Sequence, residues 1–181
     1  GQKIQDDIVD GVRWSIEQGF VDAARIGIMG TSFGGYASLV GLVKTPELFR
    51  AGAAYAPVTD IERMISDDEW YEWGTDWHRR MVGGERGDEA RLRENSPLRR
   101  AAEIRAPVLL GHGVDDQRIH VRQSRRMADA LRDAGKQVDY LEFPDEVHGF
   151  LLEANRIRWY ERLVAFFEEH LSPQGSSTTG R

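Results

Sequence analysis

Gly30-Thr31-Ser32-Phe33-Gly34 sets a serine between two glycines at the spacing G-x-S-x-G. At about 7% each of Gly and Ser, a chain of this length holds roughly 0.06 such matches by chance, so the match calls for a reason. A serine flanked this way can sit on a sharp strand-to-helix turn with its hydroxyl pushed outward, the arrangement of a nucleophile elbow. Such a turn strains the serine backbone and crowds its neighbours, which explains residues without Cβ on either side. The N–H of Phe33 then falls at a helix N-terminus, where it can stabilise an oxyanion, helped by the helix dipole. A serine hydroxyl is a weak nucleophile and needs a base to take its proton and an acid to hold that base.

The base has to come from five histidines. His78 lies in a polar, helical stretch, His120 begins a helix and His170 ends one. His112 and His148 follow strands late in the chain. His148 stands in the loop 144–149, after a strand ending at Phe143, where an imidazole can swing over the edge of a sheet. The acid should follow the preceding strand. Asp115 and Asp116 both do so, in His112-Gly-Val-Asp-Asp-Gln-Arg118, and their chemistry alone does not choose between them. One should face the histidine and the other a turn or solvent. The order serine, acid, histidine is the one that hydrolases with a nucleophile elbow use.

These residues need a scaffold, and the periodicity supplies one. Residues 2–18 carry Ile4, Ile8, Val12 and Ile16 at helical spacing, with Gly19 placed to end the helix. Strands are predicted at 25–29, 51–56, 107–111 and 138–143. Helices are predicted at about 34–43, 121–134 (closed by Gly135) and 154–171, the last carrying Ile157, Tyr160, Leu163, Val164 and Phe167. Between 60 and 102 the pattern is polar and helical, with Trp70, Tyr71, Trp73 and Trp77 close together. Strand alternating with helix implies an α/β fold, a mostly parallel sheet flanked by helices. Near-continuous apolar strands imply a sheet covered on both faces. In such sheets, sites form at the carboxyl ends of strands, which is where Ser32, the aspartate pair and His148 all fall.

Four motifs in order carry a family resemblance. Gly30-Thr-Ser-Phe-Gly-Gly-Tyr36 resembles the nucleophile motif of the prolyl oligopeptidase family of serine peptidases. Ala56-Pro-Val-Thr-Asp60 resembles the segment after the next strand in its dipeptidyl-peptidase and acylaminoacyl-peptidase branches. His112-Gly113, with an acid three positions after the glycine and then Arg118-Ile119, is similar to the acid loop, and Asp145-Glu-Val-His-Gly149 to the histidine loop. The resemblance covers residues 6–171 and implies a Ser32–Asp116–His148 triad in the C-terminal part of an α/β-hydrolase fold. It also implies that Arg118 contacts a carbonyl of bound peptide, and that Val58 and Ile61 line the pocket for the residue before the scissile bond. Arg118 read alone is equally a surface arginine, and Val58 and Ile61 equally core. The implied activity is hydrolysis of short peptides through an acyl-enzyme on Ser32, with no cofactor and no metal. The family's second oxyanion donor, its earlier strands and its β-propeller have no counterpart here. Residues 1–171 are therefore expected to be the C-terminal portion of a catalytic domain whose N-terminal part belongs to the same protein, and 172–181 a disordered Ser/Thr/Gly tail.

Composition narrows the alternatives. The chain has 181 residues, 40% apolar and 30% charged, with net charge −6 and no cysteine. Thiol nucleophiles, disulfides and thiolate metal sites are excluded. An acidic chain is a poor partner for nucleic acid, and no apolar run approaches a membrane span, so neither partner is expected. Cytoplasmic and periplasmic locations both stay open. A carboxylesterase with the same triad is the competing enzyme reading, because one fold supports many chemistries. A non-catalytic binding module is the third reading, and Ser, Asp and His standing in working order argue against it.

Overall fold

The computed structural model describes residues 2–67 and 89–173. Its elements are α1 (Gln2–Glu17), β1 (Gly27–Thr31), α2 (Phe33–Lys44), β2 (Ala51–Tyr55), α3 (Ile61–Asp67), α4 (Glu89–Glu94), a 3-10 segment (Pro97–Glu103), β3 (Val108–Gly113), α5 (Arg122–Asp133), β4 (Val138–Phe143) and α6 (Glu153–Leu171). The four strands form one sheet in the order β1-β2-β3-β4, every pair parallel. Thr31 stands beside Tyr55, Tyr55 beside Gly111 and Gly111 beside Leu141, so the strand ends line up along one edge.

Alternation along the strands divides the core into two layers. Ala51, Ala53 and Tyr55 of β2 join Leu109 and Phe143 against Trp159, Leu163 and Phe166 of α6. Ala54, Val108 and Leu110 face the other way, onto Leu39, Leu42 and Val43 of α2 and Met127, Ala128 and Leu131 of α5. Strands β2 and β3 are buried throughout, as their continuous apolar runs imply. The edge strands β1 and β4 are only partly covered. Each fully buried Leu or Phe in these layers contributes about 1.5–3 kcal/mol of burial.

Two helices end as their sequences imply. Gly19 (φ 71°) and Gly135 (φ 67°) adopt the left-handed conformation. Phe20 N–H donates to Ser15 O, and Lys136 N–H to Leu131 O, closing Schellman caps.

The buried faces of two helices differ from expectation. In α1 it is Gln5 and Val9 that are buried, while Ile4 is 47% exposed. Apolar residues four apart advance by about 40° per step, so Ile4 and Ile16 do not share a narrow contact face. In α6 the buried stripe is Trp159, Leu163 and Phe166, and Ile157, Tyr160 and Val164 are exposed. This helix carries two apolar stripes, and the sheet takes only one. The predicted 25–29 strand also begins later, at Gly27. Arg25 is held in a turn by its N–H on Asp22 O and its guanidinium on the Asp22 carboxylate. Helical excursions between β2 and β3 are present as α3, α4 and the 3-10 segment. The aromatic group Trp70, Tyr71, Trp73 and Trp77, with His78, lies outside the described residues, as does most of the expected tail.

Candidate active site

Strand β1 ends at Thr31 and α2 begins at Phe33, so Ser32 is the whole of the connection. Its backbone is strained (φ 58°, ψ −119°), a conformation a non-glycine residue keeps only where surroundings hold it. The hold is visible. Ser32 N–H donates to Tyr55 O, and Tyr36 N–H donates to Ser32 O. A Cβ on Gly30 would lie 2.3 Å from the carbonyl carbon of Gly34, and one on Gly35 3.0 Å from Cβ of Pro57. A Cβ on Gly34 would meet nothing within 4 Å. The close approach therefore needs glycine at 30 and leaves a tight fit for any side chain at 35, and the expectation that the second motif glycine is sterically required does not hold for Gly34. Phe33 is the first residue of α2, among the helix N–H groups that have no intrahelical partner. Phe33 is 54% exposed, and its ring packs beside Tyr36.

Asp116 and His148 come together from adjacent strands. The loop after β3 carries Asp116 and the loop after β4 carries His148, whose Nδ1 lies 2.7 Å from Asp116 Oδ2. Asp116 Oδ1 accepts the N–H groups of Arg118 (2.8 Å) and Ile119 (3.0 Å). Burial by itself would raise the Asp116 pKa. The ring N–H groups of His112 and His148 and the two backbone N–H groups outweigh it and hold the carboxyl at about 2. Asp115 is exposed, and its N–H donates to Glu146 O. Gly113 lets this loop close down, since a Cβ there would lie 2.2 Å from Val147 O.

The other three residues lie around this edge. Val58 and Ile61 are buried in one cluster with Tyr36, Val40, Met64, Ile65 and Leu92, against which Ile119 of the acid loop packs. That cluster spans from the start of α2 to the acid loop. Arg118 is exposed, two residues beyond Asp116. Among the described residues no group of three His, Asp or Glu side chains is arranged to hold a metal ion. No described helix is long and apolar enough to cross a membrane.

Three buried polar side chains around the site have roles that their sequence context does not state. Glu146, fully buried, accepts the N–H groups of Leu151 and Leu152 and the Asn155 amide, tying the histidine loop to the start of α6. Burial opposes its charge, but those donors hold its pKa below the ordinary value. Gln123 Oε1 accepts the N–H groups of Thr59 and Asp60, and its Nε2 donates to Asp60 O, fastening the loop that carries Val58 to α5. His112 is fully buried behind Asp116. An acid in a loop and a glutamine in an Arg-rich helix read as solvated residues, so no local pattern marks the first two. His112 was visible as part of the His-Gly pair, without a role.

A parallel sheet with a strained serine at one strand end and an Asp–His pair at two others is the architecture of the α/β-hydrolases. The prolyl oligopeptidase family model matches residues 1–174, and the chain belongs to that family of peptidases. It is similar to dipeptidyl aminopeptidase BIII of Pseudoxanthomonas mexicana, 35% identical across 98% of this chain and 27% of that protein. It is also similar to a puromycin-hydrolyzing peptidase of Mycobacterium tuberculosis (30% identity, TM-score 0.88, 93% of this chain and 25% of that one). An acylaminoacyl peptidase of Pyrococcus horikoshii superposes at TM-score 0.81, with 28% identity over 92% of this chain and 27% of its own. The chain thus spans about a quarter of the length of these relatives.

Proposed function

We propose that this chain carries the catalytic triad of a serine peptidase that hydrolyses short peptides through an acyl-enzyme on Ser32. The observation that carries the reading is the 2.7 Å contact between His148 Nδ1 and Asp116 Oδ2 on the sheet edge where Ser32 sits strained. With Nδ1 donating to the carboxylate, Nε2 is the nitrogen left to exchange protons. Ser32 Oγ attacks the scissile carbonyl carbon while its proton passes to His148 Nε2. The oxyanion gathers on the Phe33 N–H. Asp116 keeps the imidazole in the required tautomer and stabilises the imidazolium. His148 then returns the proton to the departing amine. Water enters and repeats the sequence, releasing the acid and restoring Ser32.

Arg118 supplies a charged donor to a carbonyl of the bound peptide. Val58 and Ile61 form the wall behind the residue before the scissile bond, in the cluster that joins the nucleophile's helix to the acid loop. The names of the relatives, a dipeptidyl aminopeptidase, an acylaminoacyl peptidase and a puromycin-hydrolyzing peptidase, support a peptide or amide substrate over a simple ester. The N-terminal part of the same protein completes the site, supplying a second oxyanion donor and a strand beside β1. The test is turnover of peptide anilides by the full-length protein. Ser32→Ala is expected to lower it by several orders of magnitude, and wild-type turnover in that variant would exclude Ser32 as nucleophile.

A further inference from the structure

Among the described residues His112 is the one histidine with no exposure at all, and it stands directly behind the acid of the site. It is the penultimate residue of β3, four positions before Asp116. Both ring nitrogens have partners. Nε2 lies 2.7 Å from Ile119 O and 3.3 Å from Asp116 Oδ2, and Nδ1 lies 2.7 Å from Ser124 Oγ. Two oxygens that can only accept face Nε2, so Nε2 carries the proton and Nδ1 accepts from the Ser124 hydroxyl. Ser124 is fully buried in the first turn of α5.

The consequences run through the turn 116–119. Ile119 is held at its carbonyl by His112, while its N–H and that of Arg118 hold Asp116 Oδ1. The same ring therefore closes the turn and stands against the carboxylate oxygen that receives His148. Without the ring N–H, the half-buried Ile119 carbonyl would be an acceptor with its partner gone, and the turn would relax to find another. Asp116 would then lose the orientation that presents Oδ2 to His148.

We infer that His112 is a positioning residue for the triad acid: its Nε2–H closes the 116–119 turn and aims Asp116 at His148, with Ser124 fixing which nitrogen carries the proton. The inference rests on the triad assigned above.

The experiment is a mutant cycle in the full-length protein, read as kcat and KM on a peptide anilide. His112→Leu removes both polar contacts and His112→Gln keeps an N–H near the Nε2 position. Ser124→Ala removes one hydroxyl, and Asp116→Asn removes the group through which His112 acts. His112→Leu is expected to lower kcat by about ten- to a hundredfold, the scale of a lost hydrogen bond to a charged group, with KM within about twofold. His112→Gln should recover most of that loss, and Ser124→Ala should lower kcat by a few fold. In the Asp116→Asn background, His112→Leu should change kcat by less than about threefold, because the group it orients is already disabled. A full additional loss in that background would overturn the inference, as would a folded His112→Gln as impaired as His112→Leu. If His112→Leu does not fold, the decision passes to the Gln and Ser124→Ala variants. Wild-type kcat in Ser124→Ala, together with a folded His112→Gln no more active than a variant without the ring N–H and losing the same factor in the Asp116→Asn background as outside it, would then overturn it. Near wild-type kcat in His112→Gln with a reduced kcat in Ser124→Ala would support it. Ser32→Ala separates the two claims. Activity surviving Ser32→Ala removes the triad itself, whereas activity abolished there but unchanged in His112→Leu removes only the role of His112.

Discussion

Asp115 and Asp116 are neighbours of identical chemistry in opposite surroundings. One is exposed, while the other is 4% exposed and meets His148 Nδ1, the Arg118 N–H and the Ile119 N–H. Asp116→Asn keeps the shape but presents an amide where the imidazole N–H needs an acceptor, favouring the wrong tautomer. It is expected to cost about 10⁴ in kcat by analogy with other triads. Asp115→Asn touches only an exposed carboxylate and should leave kcat within about threefold, as surface changes away from a site usually do. Anilide kinetics on the two variants decide the matter, and a reversed pair of effects would move the acid to Asp115. Residue chemistry alone left these two equivalent. What separates them is which carboxylate the turn at 116–119 wraps, and that depends on backbone N–H groups carrying no side-chain signature.

The elements around the site were legible to different depths. Strands β2 and β3 announced themselves by unbroken apolar runs, and β4 by Val138, Tyr140, Leu141 and Phe143 between turn residues. Helix α5 announced its end at Gly135. The choice of buried face in α1 and α6 was not legible, because Ile157, Tyr160 and Val164 are as apolar as Trp159, Leu163 and Phe166, and only the sheet's position distinguishes them. The polar ties made by Gln123 and Glu146 were invisible for a related reason. Gln123 satisfies backbone N–H groups of a loop distant in sequence, and Glu146 turns inward to those of Leu151 and Leu152 in its own loop, so in neither case does a side-chain pattern report the tie. The tight join of β1 to α2 gives this scale its test. Gly30→Ala would force a methyl group to 2.3 Å from Gly34 backbone. That should destabilise the domain by roughly 1–3 kcal/mol, an overpacking cost, and disturb the elbow. Gly34→Ala enters open space on a helix and should be neutral or stabilising by up to about 1 kcal/mol. Thermal melts of both variants in the full-length protein check this, and equal losses would mean the two glycines serve the turn alike.

At the scale of the whole molecule, β1 is an edge of the sheet that the described residues form, with Met29 51% exposed. Phe167 and Leu171 of α6 lean on Gly27 of that strand, and the exposed Tyr160 and Val164 continue their stripe. An uncovered apolar strand edge promotes association between chains. Only the Phe33 N–H is assigned to the oxyanion, and a missing donor typically costs about 10²–10³ in rate. Residues 1–181 expressed alone are therefore expected to be poorly soluble or to lack measurable peptidase activity, in contrast to the same residues within their native sequence. Size-exclusion profiles and anilide turnover of the two preparations make the comparison, and a soluble, monomeric, fully active 181-residue chain would contradict it.

The central claim is that Ser32 is a nucleophile activated by His148 and Asp116. A fluorophosphonate reacts with a serine only when its hydroxyl is activated, and it leaves a stable adduct whose position mass spectrometry can read. Treated with such a probe, the full-length protein should carry one adduct on the peptide containing Ser32. That adduct should be absent in Ser32→Ala and strongly slowed in His148→Ala. An adduct that persists in Ser32→Ala, or a wild-type protein that takes none, would contradict the account.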